Sequence, residues 1–210
     1  FAYDLRCHGD NIRDLVNHLG IDRFRLVLHD WGGAIGLSAF RNEPERIDKL
    51  VVMNTAAFPS DDVPKRISIC RIPVLGSLLV RGLNGFAGPA TFMAVRNPMK
   101  PEIKHAFLYP YDNWGNRVAV WRFVKDIPKE KNHPSRNLLQ ETADSLGHYK
   151  DTPVLACWGM RDFCFHGGFL KEWRQFMPHL IAHEFENSGH YLLEDDYEGC
   201  RSKIEPFLFG

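Results

Sequence analysis

"LVLHDWGGAIG", residues 26–36, begins as a strand and ends as a helix, with a carboxylate at the join. Leu26, Val27 and Leu28 form an apolar run suited to a buried strand. Gly32, Gly33, Ala34 and Gly36 are small enough to let a helix lie close against a sheet. Asp30 stands between them, where a charge is expensive to leave unpaired. An aspartate at such a junction is ordinarily a helix N-cap. The alternative is a crowded elbow that demands glycines and exposes a reactive side chain. The rest of the chain chooses between them.

Around this stretch, strands and helices alternate. Ile12, Leu15, Val16 and Leu19 have helical spacing within residues 4–19, and Gly20 closes that helix. A strand over Phe24–Leu28 follows, then a helix to about Asn42 that stops before Pro44. "IDKLVVMN" is a second strand, buried and ending near Asn54; "PVLACWG" is a third buried strand and "LIAHEF" a fourth. Helices are expected near Leu138–Leu146, Leu170–Phe176 and Tyr197–Leu208. Such alternation predicts an α/β fold with a parallel sheet and right-handed crossovers. From Thr55 to about Pro134, prolines recur, aromatics are dense and no strand alternation is visible. The expected division is a core over 1–55 and 137–210, with a helical cap over 56–136.

Composition excludes several functions. The 210 residues are 44% hydrophobic, enough for a large core. Lys plus Arg and Asp plus Glu each number 26, so no electrostatic footprint for nucleic acid is present. The five cysteines (Cys7, Cys70, Cys157, Cys164 and Cys200) are odd in number and lack zinc-ribbon spacing. Free thiols in a reducing cytoplasm are therefore expected, with no metal and no cofactor. No signal peptide is visible, and no apolar run reaches about 18 residues, so no transmembrane segment is expected. The most apolar region, Ile72–Val95, is interrupted by Arg81 and Asn84 and ends at Arg96.

In open parallel sheets, active sites gather at the carboxyl ends of strands. Asp30 follows the first strand, Asp162 the third, and His190 the fourth, in "NSGHYLLED". Singly, each has an ordinary explanation: a cap, a loop residue, one of ten histidines. Together they follow the order nucleophile, acid, histidine of the α/β-hydrolase triad. A serine elbow makes an acyl-enzyme, whereas an aspartate makes an ester with a substrate carbon, as in haloalkane dehalogenases and epoxide hydrolases. Trp31 fits an indole donor beside a leaving group, or cap packing; Tyr109 and Tyr111 fit an epoxide-polarising pair, or cap packing. Some dehalogenases carry their acid where this chain has Asn54, which leaves Asp162 to orient His190. Glu194, Asp195 and Asp196 are expected to matter much less. "CHGDN", residues 7–11, resembles an oxyanion-hole motif, but His8 sits inside a helical pattern and reads as helix surface.

The chain resembles the haloalkane-dehalogenase-like branch of the α/β hydrolases and, within it, the β-lactone decarboxylases of bacterial olefin biosynthesis. The resemblance lies in "LVLHDWGGAIGLSAF", "VVMNTAAF", "VRGLNGFAGPA", "YPYDNW", "RFVKDIP", "CWGMRDFCF" and "GHYLLEDD". It implies conversion of a cis-3,4-dialkyl β-lactone into a cis-alkene and carbon dioxide. Asp30, Asp162 and His190 would be catalytic and Trp31 substrate-binding. The implied substrate is small and hydrophobic, and other olefin-biosynthesis enzymes are the implied partners. Haloalkane dehalogenase and epoxide hydrolase are the enzymatic alternatives; an inactive fragment or scaffold subunit is the other. The family carries further strands and a His-Gly-Asn loop ahead of the region seen here. Since none precedes Phe1, the chain is expected to lack those strands and to be a poor catalyst alone.

Overall fold

A computed structural model describes residues 1–210. Helix α1 (Leu5–His18) leads into strand β1 (Phe24–Asp30), helix α2 (Trp31–Ala39) and strand β2 (Ile47–Thr55). Strands β3 (Val154–Gly159) and β4 (Ile181–Phe185) complete a parallel sheet of order β1-β2-β3-β4. The helices Pro134–Ser145, Gly167–Phe176 and Tyr197–Phe209 fall near the expected positions.

Alternate residues of the central strands feed two cores, as a pleat of period two requires. Leu50, Val52, Ala156 and Trp158 join Phe40, Phe58, Tyr149 and Trp173 on one face. Val51, Met53, Leu155 and Cys157 join Leu192, Cys200 and Leu208 on the other. Helices therefore cover both faces, and β2 and β3 read as near-continuous apolar runs. All five cysteines are unpaired.

Two apolar patterns meet a different fate. Of Leu26, Val27 and Leu28, only Leu28 is buried, and Val27 is 44% exposed. The reason is position: β1 is the edge of this sheet and pairs on one side only. Likewise Ile12 and Leu15 of α1, and Leu19 just after it, are exposed, while the helix buries Leu5 and Gly9. Gly9 faces α2, where an added Cβ would stand 3.1 Å from the Ser38 hydroxyl.

Between β2 and β3 the chain has helices and loops but no strand, with Lys65–Cys70, Ala87–Met93, Pro101–Leu108 and Val118–Asp126 as the main helices before Pro134. A small cluster of Ile67, Cys70, Val80 and Val124 holds it together. Asp126 fastens it to the sheet half: its carboxylate accepts the Leu5 amide at 2.8 Å and the Ser135 hydroxyl at 2.7 Å. No helix is long and apolar enough to cross a membrane.

Candidate active site

The elbow is built by a break in strand pairing. His29 lies opposite Met53, but Asp30 lies opposite Thr55, so Asn54 drops out of the ladder. Asp30 has φ 51°, a left-handed conformation that an L-residue holds only under constraint. The Thr55 hydroxyl pins the turn by donating to the Asp30 carbonyl. Gly33 permits this closeness, since a Cβ there would overlap Thr55. The Asp30 side chain makes no N-cap hydrogen bond. It is 43% accessible, so the carboxylate is not spent on capping α2.

His190 stands between two carboxylates. Its Nδ1 is 2.8 Å from Asp162 Oδ2, and its Nε2 is 3.9 Å from Asp30 Oδ2. Asp162 is fully buried and also accepts the Cys164 amide at 2.6 Å. Burial by itself would push the His190 pKa down, but the Asp162 hydrogen bond and the charges of Asp162 and Asp30 outweigh it and raise the pKa to about 10. Partial desolvation opposes ionisation of Asp30, yet His190 beside it holds the carboxyl below its usual range. Both carboxylates therefore favour the protonated imidazole. The three residues singled out from sequence converge here although 28 residues or more separate any two of them.

Several supporting groups were not assigned their roles from the sequence. Asn54 joins β2 to the Asp162 loop: its amide donates to the Gly159 carbonyl at 3.0 Å, and its carbonyl accepts the Gly159 amide at 2.8 Å. His29 donates from Nε2 to the His190 carbonyl at 2.8 Å, with the two rings 4.7 Å apart. Burial and the neighbouring His190 charge lower its pKa, so His29 is a neutral donor. Asp195 accepts the amides of Gly189, Arg96 and Asn97 at 2.7, 2.7 and 2.9 Å. It is therefore the clamp between the His190 loop and the insertion. A buried polar residue at a strand's carboxyl end is the one pattern by which Asn54 and His29 were detectable.

Other expectations shift. The Trp31 ring meets Phe123 edge-on at 5.3 Å and packs towards Leu5 and Leu138, at the seam between sheet half and insertion. His8 is in a helix, but it is no free surface residue: its ring stacks on Phe123 at 4.5 Å, and its Nε2 is buried without a partner. Tyr109 is 72% exposed, with only the His105 ring nearby at 5.8 Å, whereas Tyr111 lines a cavity. That cavity, about 490 Å³, is walled by Ala87, Ala106, Phe107, Pro110, Tyr111 and Tyr191. The Tyr191 ring is 5.5 Å from the His190 ring, so the apolar space abuts the charged site.

Known proteins share this architecture. The alpha/beta hydrolase fold family profile matches residues 2–69. Cis-3-alkyl-4-alkyloxetan-2-one decarboxylase from Shewanella oneidensis is 39% identical, across 99% of this chain and 67% of that protein. The enzyme of the same name from Xanthomonas campestris is 35% identical, across 99% of this chain and 71% of its own length. The crystal structure of haloalkane dehalogenase DbeA from Bradyrhizobium elkani superposes with a TM-score of 0.88 at 19% identity, over 99% of this chain and 74% of that one, which shows the shared fold. The chain belongs to the α/β-hydrolase family and is an enzyme of its haloalkane-dehalogenase-like branch. Within that branch, the two oxetanone decarboxylases are relatives to which it is similar along almost its whole length.

Proposed function

We propose that this enzyme converts cis-3,4-dialkyl β-lactones into cis-alkenes and carbon dioxide, with Asp30 as nucleophile. The observation that carries the reading is the Asp162–His190–Asp30 line, ending in an uncapped carboxylate on a strained elbow. An apolar cavity beside it suits alkyl arms. The printed name of the two decarboxylase relatives describes a ring with two alkyl substituents. In this scheme residues 1–55 and 137–210 supply the chemistry, and residues 56–136 form a cap that selects the substrate. Other olefin-biosynthesis enzymes would supply the lactone.

Asp30 attacks the ring carbon that bears oxygen. The new Asp30–carbon bond replaces the ring carbon–oxygen bond, and the freed oxygen becomes part of a β-carboxylate. Loss of carbon dioxide breaks the carbon–carbon bond to that carboxylate. Its electron pair forms the alkene and expels Asp30 with both its original oxygens. Inversion followed by anti elimination keeps cis substituents cis. His190, held protonated by Asp162, steadies negative charge as it moves between Asp30 and the substrate. Trp31 would reach the departing oxygen.

A dehalogenase or epoxide hydrolase uses the same groups differently, with water cleaving the Asp30 ester and leaving a solvent oxygen in the carboxylate. Turnover of a cis-dialkyl β-lactone in oxygen-18 water, followed by mass analysis of the peptide containing Asp30, separates the two. The expected result is alkene with no label at Asp30. Asp30→Asn should lower turnover by about four orders of magnitude or more, since a neutral amide is a poor nucleophile. Label in Asp30 with a hydroxy product would make the enzyme a hydrolase. Full-rate alkene formation by Asp30→Asn would remove covalent catalysis.

A further inference from the structure

The insertion carries a second surface that this chemistry does not use. From Val63 to Pro101 the chain has no carboxylate and six cations: Lys65, Arg66, Arg71, Arg81, Arg96 and Lys100. Of these, only Arg71 has a carboxylate partner, Glu130 at 2.5 Å. The flanking acids are engaged elsewhere, Asp61 with Arg136 and Asp62 with His166. Arg81 lies 4.3 Å over the ring of Trp114, which is itself exposed.

Between these cations the fold leaves large apolar side chains in water: Ile69, Ile72, Val74, Leu75, Leu78 and Leu83. Ile72–Leu75 form a tip exposed at all four positions. Val74 at its point is 73% exposed and has φ 63°, a conformation rare for a β-branched residue. Val74, Leu78, Trp114 and Trp121 border a shallow groove of about 330 Å³. Single exposed apolar residues need no explanation, but a contiguous set marks a contact surface. The groove's rim is tied to the substrate cavity. Arg117 donates both to the Arg81 carbonyl and to the Tyr111 carbonyl, each at 2.7 Å.

Charge decides the occupant. Two copies packed face to face would set Lys65, Arg66 and Arg81 against the same unpaired cations. An anionic bilayer meets both halves of the surface at once. Hydrocarbon takes the apolar tip, phosphate takes the cations, and a tryptophan under an arginine suits the boundary. We infer that the face formed by residues 65–83 with Trp114 docks on an anionic phospholipid bilayer, with Ile72–Leu75 entering it. The inference is independent of the Asp30 chemistry.

Co-sedimentation of the purified chain with vesicles tests it, using phosphatidylcholine alone and phosphatidylcholine mixed with phosphatidylglycerol. Binding is expected only to the mixed vesicles and should weaken as salt rises. Lys65→Glu with Arg66→Glu should weaken it about ten-fold or more. Val74→Asp with Leu78→Asp should do the same, with circular dichroism and melting temperature unchanged because Val74 and Leu78 are both exposed. Brominated lipid should quench tryptophan fluorescence, and Trp114→Phe should reduce that quenching. No binding, equal binding to neutral vesicles, or binding that survives both double variants overturns the inference. So does a lipid-free dimer, seen by sedimentation velocity, that Val74→Asp with Leu78→Asp dissolves; the face would then belong to a second copy.

Discussion

From Leu50 to Thr55 every residue of β2 is buried, whereas from Ile72 to Leu75 every residue of the insertion is exposed. Both runs are apolar in large part, and composition alone does not tell them apart. The first has a strand on either side and helices over both faces, so its side chains have nowhere to go but the core. The second sits on short helical turns, and the insertion's fastenings to the sheet half, among them Asp126 and Asp195, lie elsewhere along it. Strain is used differently as well. At Asp30 it lifts a carboxylate beside His190, and at Val74 it presents a bare aliphatic side chain. The sheet half is built for exact placement of charge, and the insertion for contact with apolar matter.

The largest test of this contrast compares two acids of the sheet half. Asp162→Ala should lower turnover by about three to four orders of magnitude, because His190 loses its orienter and its cation a partner. Asp195→Ala, which removes a clamp and leaves the triad intact, should lower stability by about 1–3 kcal/mol and turnover far less. Activity lost equally in both variants would erase the distinction between chemistry and fastening.

The pH dependence of stability follows from the same charges. The His190 pKa is raised in the folded protein, so its stabilisation is fully present below its unfolded value of 6.5 and is lost as pH rises towards about 10. The Asp30 pKa is lowered, so its contribution is present above 3.8 and is lost as pH falls through its folded value. Urea unfolding across this range should show the alkaline decline. Asp30→Asn should end that decline at lower pH and make it smaller, since one of the two carboxylates holding the proton is gone. An unchanged alkaline limb would mean that His190 does not feel Asp30.

Glycine substitutions compare the packing of the two regions. Gly33→Val should destabilise by about 3 kcal/mol or more, because its side chain would overlap Thr55. Gly88→Ala, in an insertion helix with nothing within 4 Å of the new Cβ, should be neutral or stabilising by up to about 1 kcal/mol. Thermal melts of both variants read the difference directly. The smallest effect belongs to the cavity wall. Phe107→Ala should shift preference towards longer alkyl arms by about ten-fold, measured as a ratio of kcat/KM for two chain lengths.

The sequence by itself determined the parallel α/β architecture, the helical character of the stretch between β2 and β3, and the positions of Asp30, Asp162 and His190 at strand ends. These are local properties: side-chain period, turn residues and chain order are all written along the chain. Tertiary structure alone decided that Trp31 and His8 meet across Phe123, and that Asp195 clamps the histidine loop. Asn54 looked like a missing carboxylate and is instead the bridge that fixes the Asp162 loop, through partners about a hundred residues away. Each of these depends on which distant residues arrive at the same place. A pattern with a period of two or 3.6 residues fixes which way a side chain points from its own element, but not what it finds there.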